Sequence, residues 1–233
     1  MVNINIQIKN YGYNFCSNFV TKTISKVSKI LNPYKLKFKK TQRTIDFCIQ
    51  ELLKKIDEKD KYTTTHCLEV ANLAELFARR LQLTEEKVRL VKNAALLHDI
   101  GKIEIPQNIL EKTSCLSKEE RSIIKNHSLL GVKKIEKEYP ELKAFIPAIK
   151  YHHEAWNGKG YPANLSGDEI PIEAQIISIA DCYHAILGRN YSKNLSPYEA
   201  CKTLLNGAGS QWNPYLVFKF VKFIMSSNTQ QTI

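Results

Sequence analysis

The 233-residue chain has only two methionines and two tryptophans, and nowhere a run of 18 apolar residues. That last absence argues against a spanning helix, because about 20 apolar residues are needed to cross a bilayer. The opening stretch MVNINIQIKN lacks the apolar core of a signal peptide, so a cytoplasmic protein is expected. Six cysteines are scattered (Cys16, Cys48, Cys67, Cys115, Cys182 and Cys201) with no CxxC pair among them. Neither a disulfide framework nor a thiolate metal site is therefore indicated. Acid is missing from one place in particular: residues 1 to 40 hold eight lysines and no Asp or Glu. Those eight account for most of the net charge of +11 and leave +3 for the other 193 residues, so stable nucleic-acid binding is not expected of the body of the chain.

The basic leader alternates Val2, Ile4, Ile6 and Ile8 with Asn3, Asn5 and Gln7, the period of a half-buried strand. Aromatics at Tyr11, Tyr13, Phe15 and Phe19 then interleave with lysines. Such a segment could make weak contact with an anionic membrane surface, hold a nucleic acid or a partner domain, or serve only as a small docking element. On charge alone the chain divides into a basic N-terminal extension over 1–40, a main domain over 41–225 and a polar tail over 226–233.

From Thr41 onward the apolar spacing is helical. Ile45, Cys48, Ile49, Leu52 and Ile56 form one stripe, and Val70, Leu73, Ala74, Phe77 and Leu81 form the next, on a helix expected to follow Thr63 to Thr65. Thr84 with Glu85 and Glu86 opens a third helix. Ser117 and Glu120 spell a capping box for a helix carrying His127 inward beside Ile123, Ile124 and Leu130. A further helix is expected from about Glu141 to His153 despite Pro147, and another from Ile172 to Ala180 leading to Asp181. Ser196 and Glu199 make a second capping box, and Asn213 with Pro214 opens a final helix whose Leu216, Val217, Phe220 and Ile224 face the core.

The stretch NAALLHDIGKIEI, from Asn93 to Ile105, puts His98, Asp99 and Lys102 at the end of an apolar segment. Burying those groups is costly unless something pairs with them, and a divalent cation is the natural partner. Neutral imidazole and carboxylate suit zinc, iron or manganese, and a carboxylate can bridge two ions. Taken alone, an HD pair is more often a helix end with a solvated aspartate. The histidine inventory tips the balance: of six, His66, His98, His127, His152 and His153 all fall where such a site could use them. Adjacent helical residues point about 100° apart, so His152 and His153 can share one site only where their helix stops.

In order, His66, HDIGK at 98–102, His127, HHEAWNGKGYP at 152–162 and Ala180-Asp181 resemble the HD-GYP branch of the HD-domain phosphohydrolases over about residues 41–225. The resemblance implies an all-α fold, a helical bundle with a metal site in its core, and hydrolysis of cyclic di-GMP to pGpG or GMP. It implies His66, His98, Asp99, His127, His152, His153 and Asp181 as metal ligands, with two divalent ions, iron or manganese before zinc. Two ions bridged by Asp99 would ionise a water at neutral pH and clamp phosphate oxygens, and Lys102 could reach the same phosphate. Diguanylate cyclase (GGDEF) proteins are the macromolecular partners the resemblance suggests.

Four positions depart from that pattern. Asn157 stands where Asp is usual, His184 stands where Asp is usual and is read as no ligand, and Tyr62 replaces the Glu of members with a third metal. After Asp181 the usual RPYR-like stretch is altered and one residue shorter, leaving Arg189 and Lys193 to meet the second phosphate of a cyclic dinucleotide. Two alternatives to turnover of cyclic di-GMP follow: a receptor or scaffold of low activity, and hydrolysis of another nucleotide.

Overall fold

The computed structural model describes residues 41–188 and 196–228. The chain divides into two compact units, Met1–Thr44 and Ile45–Ile233. The first lies almost wholly outside the described residues, as do the expectations for residues 1–40 and for Arg189 and Lys193.

The described residues form an all-α bundle. It comprises α1 through residues 41–59, α2 (Lys61–Arg80), α3 (Glu85–Leu97), α4 (Gln107–Leu110), α5 (Lys118–Lys125), α6 (His127–Glu138), α7 (Ile146–Tyr151), α8 (Ile172–Gly188), α9 (Pro197–Asn206) and α10 (Pro214–Asn228). Tight 3-10 turns at Ile100–Glu104, Pro140–Phe145 and Gly167–Glu169 join several of them. No described helix is long and apolar enough to cross a membrane.

At the centre α2 packs against α3 and α8. Small side chains at Ala71 and Ala74 of α2 and Ala94 and Ala95 of α3 are completely buried and let these axes approach. Helix α8 buries Ala174, Ile176, Ile177, Ile179 and Ala180, the composition of a helix covered on most sides. Phe77 meets Phe220 of α10 edge-on, with centroids 5.0 Å apart, closing the core away from the histidines. The apolar stripe expected for α10 is buried as read, at Leu216, Val217, Phe220 and Ile224.

Local signals set most helix starts. Ser117 and Ser196 each form a complete capping box with the glutamate three residues on, and Thr84 accepts from the Lys87 amide. Asn213 Oδ1 accepts from the amides of Tyr215 and Leu216 to open α10.

Three boundaries differ from expectation. Helix α2 begins at Lys61, not after Thr65, because Asp60 caps it by accepting from the Tyr62 amide and the Thr63 hydroxyl. His66 is thus an interior residue of α2. The segment through His127 is two helices broken at Asn126, and Ile123 is exposed rather than inward. Likewise the stretch from Glu141 to His153 is a 3-10 turn followed by the short α7, since Pro147 has no amide to continue a helix and serves instead in its first turn.

Candidate metal centre

Five of the site residues stand at or just beyond a helix end, and His66 and Asp181 lie within helices. His98 closes α3, Asp99 opens the following turn, His127 is the first residue of α6, and His152 and His153 follow the end of α7. Asp181 and His184 lie one turn apart on α8, facing His66 on α2. Gly101 allows this convergence. A Cβ there would collide with the carbonyl of His127 and the amide of Gly131, so only glycine lets the first turn of α6 lie against the HD turn. That approach brings His127 Nε2 to 3.3 Å from Asp99 Oδ1.

Three rings share one hydrogen-bond pattern. The Nδ1 atoms of His98, His127 and His152 each lie 2.7 Å from the carbonyl three residues earlier, on Ala95, Ile124 and Ile149. A carbonyl only accepts, so the ring proton is on Nδ1 and the Nε2 lone pair is left bare. His98 Nε2 is buried with no hydrogen-bond donor to satisfy it. His127 Nε2 and His152 Nε2 face each other at 3.3 Å, two acceptors with nothing between them to share. Lone pairs oriented in this way into one buried space fit a divalent cation and fit little else.

The donor atoms form two groups, each within 4.8 Å internally: His127, His152 and His153, and His66, His98 and Asp99. Asp99 joins them, its Oδ1 facing His127 and its Oδ2 lying 3.4 Å from His98 Nε2. Asp181 Oδ1 is 3.0 Å from His66 Nε2. All seven residues read as ligands in the sequence are therefore brought to one place.

The charges follow from the surroundings. Burial alone would raise the pKa of Asp99, but Lys102 and the rings of His98, His127 and His66 carry it well below the carboxylate range. For Asp181 burial is likewise outweighed, here by the hydrogen bond from His66, and the pKa falls to about 2. Burial and the neighbouring His153 depress His152, while burial and His127 take His153 down to about 3. At neutral pH those two are uncharged imidazoles, the form that offers a lone pair to a metal. Lys102 donates to Asp99 Oδ2 at 2.7 Å; burial works against its charge, and the Asp99 pair more than restores it.

The loop after His153 closes over the cluster. Glu154, buried and assigned no role by sequence reasoning, anchors it by accepting from the amides of Ala163 and Leu165 at 2.6 and 3.1 Å. Tyr161 stacks on His153 with centroids 4.8 Å apart, and Lys125 lies over the Tyr161 ring at 5.1 Å. Asn157, where a carboxylate is usual, is exposed and uses its Oδ1 to accept from the Lys159 amide, a turn contact that an amide oxygen makes as well as a carboxylate. Tyr62 stacks beside His66 at 6.4 Å with its ring largely exposed. His184, read as no ligand, contacts His66 through Nδ1 at 2.8 Å. Its spacing of three from Asp181 was the signal that could have placed it on the same face of α8.

A family model described as an HD domain matches residues 26–216. Among curated proteins, a probable cyclic di-GMP phosphodiesterase of Vibrio cholerae is 34% identical over 195 residues, covering 77% of this chain and 44% of that protein. A cyclic di-GMP phosphodiesterase of Thermotoga maritima is 32% identical over 218 residues, covering 92% of this chain and 59% of that protein. The chain thus spans about half the length of these relatives. Among solved structures, an HDG"Y"P protein from Bdellovibrio bacteriovorus superposes with a TM-score of 0.58 at 24% identity, over 70% of this chain and 52% of that one, a likeness of fold. With His98-Asp99 set among converging imidazoles and Tyr161 of Gly160-Tyr161-Pro162 stacked on His153, the chain belongs to the HD domain family and resembles its HD-GYP branch.

Proposed function

We propose that this chain is a metal-dependent phosphodiesterase that hydrolyses cyclic di-GMP to pGpG, GMP or both, acting in the cytoplasm in second-messenger signalling. The observation that carries the reading is the set of bare Nε2 lone pairs of His98, His127 and His152 gathered around Asp99. The relatives' own designation as cyclic di-GMP phosphodiesterases supports the choice of substrate. The catalytic domain is assigned to residues 41–225.

Two divalent ions, iron or manganese before zinc, fit the two donor groups. His127, His152 and His153 would hold one, His66, His98 and Asp181 the other, with Asp99 between them. Such ions supply Lewis acidity toward phosphate oxygens and ionise a water at neutral pH. Lys102 keeps its charge beside Asp99, and its side chain is partly exposed, placed to offset negative charge that builds on the phosphate under attack. Tyr161 shields one side of His153 from solvent. Arg189 and Lys193 are the groups proposed to meet the phosphate that is not cut.

A second reading, a receptor of low turnover, is favoured by the altered stretch after Asp181. Incubating anaerobically purified, metal-loaded protein with cyclic di-GMP separates the two. Appearance of pGpG or GMP that a chelator abolishes is the expected result. Retention of intact cyclic di-GMP on the protein would favour the receptor, and neither binding nor turnover would point to another nucleotide.

A further inference from the structure

His66 differs from the other histidines of the cluster in how its second nitrogen is satisfied. His98, His127 and His152 stand at helix ends and use a carbonyl three residues back. His66 lies inside α2, where the carbonyls one turn earlier belong to the helix ladder. Its Nδ1 instead meets Nδ1 of His184, 118 residues away on α8, at 2.8 Å. Two lone pairs that close would repel, so one proton lies between the nitrogens. Without a cation, Nε2 donates to Asp181 Oδ1 at 3.0 Å; for Nε2 to turn a lone pair to a cation there instead, the ring proton must reside on Nδ1, in the contact with His184.

We propose that His184 is a positioning residue for His66: its Nδ1 accepts the Nδ1 proton of His66 and so fixes the ring and the tautomer that presents Nε2 to a metal. This inference rests on the metal site proposed above. Helix α8 then holds His66 from two places, Asp181 beside Nε2 and His184 behind Nδ1. A backbone carbonyl cannot be lost by substitution, whereas His184 can, which makes the His66 side of the site the one with a removable support. An imidazole at 184 keeps the acceptor that a carboxylate would offer there without adding its negative charge.

Manganese is the probe, titrated into metal-free full-length protein against a chelator of known affinity. Wild type should take up two ions and show the spin-coupled paramagnetic resonance signal of a manganese pair. His184→Ala should retain one ion at unchanged affinity and bind the other about ten- to a hundredfold more weakly, replacing the coupled signal with that of an isolated ion. His184→Asp, which restores an acceptor, should recover the second ion. Should the alanine variant not fold, His184→Asp against His184→Lys makes the same comparison, since lysine cannot accept. Two tight ions in His184→Ala, or an aspartate variant no better than alanine or lysine, would overturn the role of His184. Wild type that binds no manganese would instead overturn the metal site itself.

Discussion

Lys102 Nζ lies 2.7 Å from Asp99 Oδ2, on the same carboxylate whose other oxygen faces His127. The lysine is thus the charge partner of the aspartate set between the two donor groups as well as a candidate phosphate contact. Those roles pull in opposite directions, because a cation beside a metal site weakens metal binding while a cation beside a reacting phosphate lowers the barrier.

Replacing Lys102 should separate them. Lys102→Met is expected to lower kcat on cyclic di-GMP by about a hundredfold or more while metal affinity holds or rises. Steady-state kinetics with metal analysis on the same sample checks both. Loss of metal in parallel with activity would show that the lysine is structural.

Acid should destabilise the metal-free protein early. The folded pKa of His153, near 3, and the deeper depression of His152 lie below the unfolded value of 6.5. Between those limits the unfolded chain binds protons that the folded one refuses, so stability falls as pH drops from about 6.5 toward 3. Asp181 adds a second loss at lower pH: its contribution is complete above 3.8 and disappears as pH falls through about 2. Melting temperatures of chelator-treated protein should decline between pH 7.5 and 5, and less steeply in His153→Gln. A flat profile over that range would contradict the buried neutral histidines.

Gly101→Ala should injure fold and site together. The added Cβ meets the backbone at His127 and Gly131 rather than a flexible side chain, so α6 must shift. A cost of about 1–3 kcal/mol, or roughly 2–12 °C in melting temperature, is expected, with weakened metal binding at the His127 group. Wild-type stability and metal affinity in this variant would contradict the close approach.

Much of the site was legible because its chemistry is written in side chains. The resemblance to HD-GYP proteins implies His66, His98, Asp99, His127, His152, His153 and Asp181, through the HD and HH motifs, the two single histidines and the AD pair within α8. What orients them was not legible. The carbonyls of Ala95, Ile124 and Ile149 have no letter of their own, since every residue carries one. Nor does spacing reveal that Lys102 turns back onto Asp99, or that His184 reaches across to another helix. In the fold, capping boxes at Ser117 and Ser196 marked helix starts well, being local side-chain chemistry. The start of α2 was misplaced because three threonines looked like a cap where Asp60 already supplied one.

Arg189 and Lys193 carry the substrate question. Replacing both by alanine should raise KM for cyclic di-GMP by about ten- to a hundredfold, the worth of one lost charge-assisted contact, with metal content unchanged. The linear product pGpG, whose free terminal phosphate can reach other cations, should suffer less. An unchanged KM for cyclic di-GMP would mean that its second phosphate is held elsewhere.

The central claim is that Asp99 joins two metal ions in one site, and counting metal tests it most directly. Wild-type protein purified without oxygen should carry close to two transition metal ions per chain by elemental analysis. Asp99→Ala should lose that occupancy, and with it all phosphodiesterase activity, while the helical circular dichroism signal remains. Two ions per chain in the Asp99→Ala protein would contradict the bridging role.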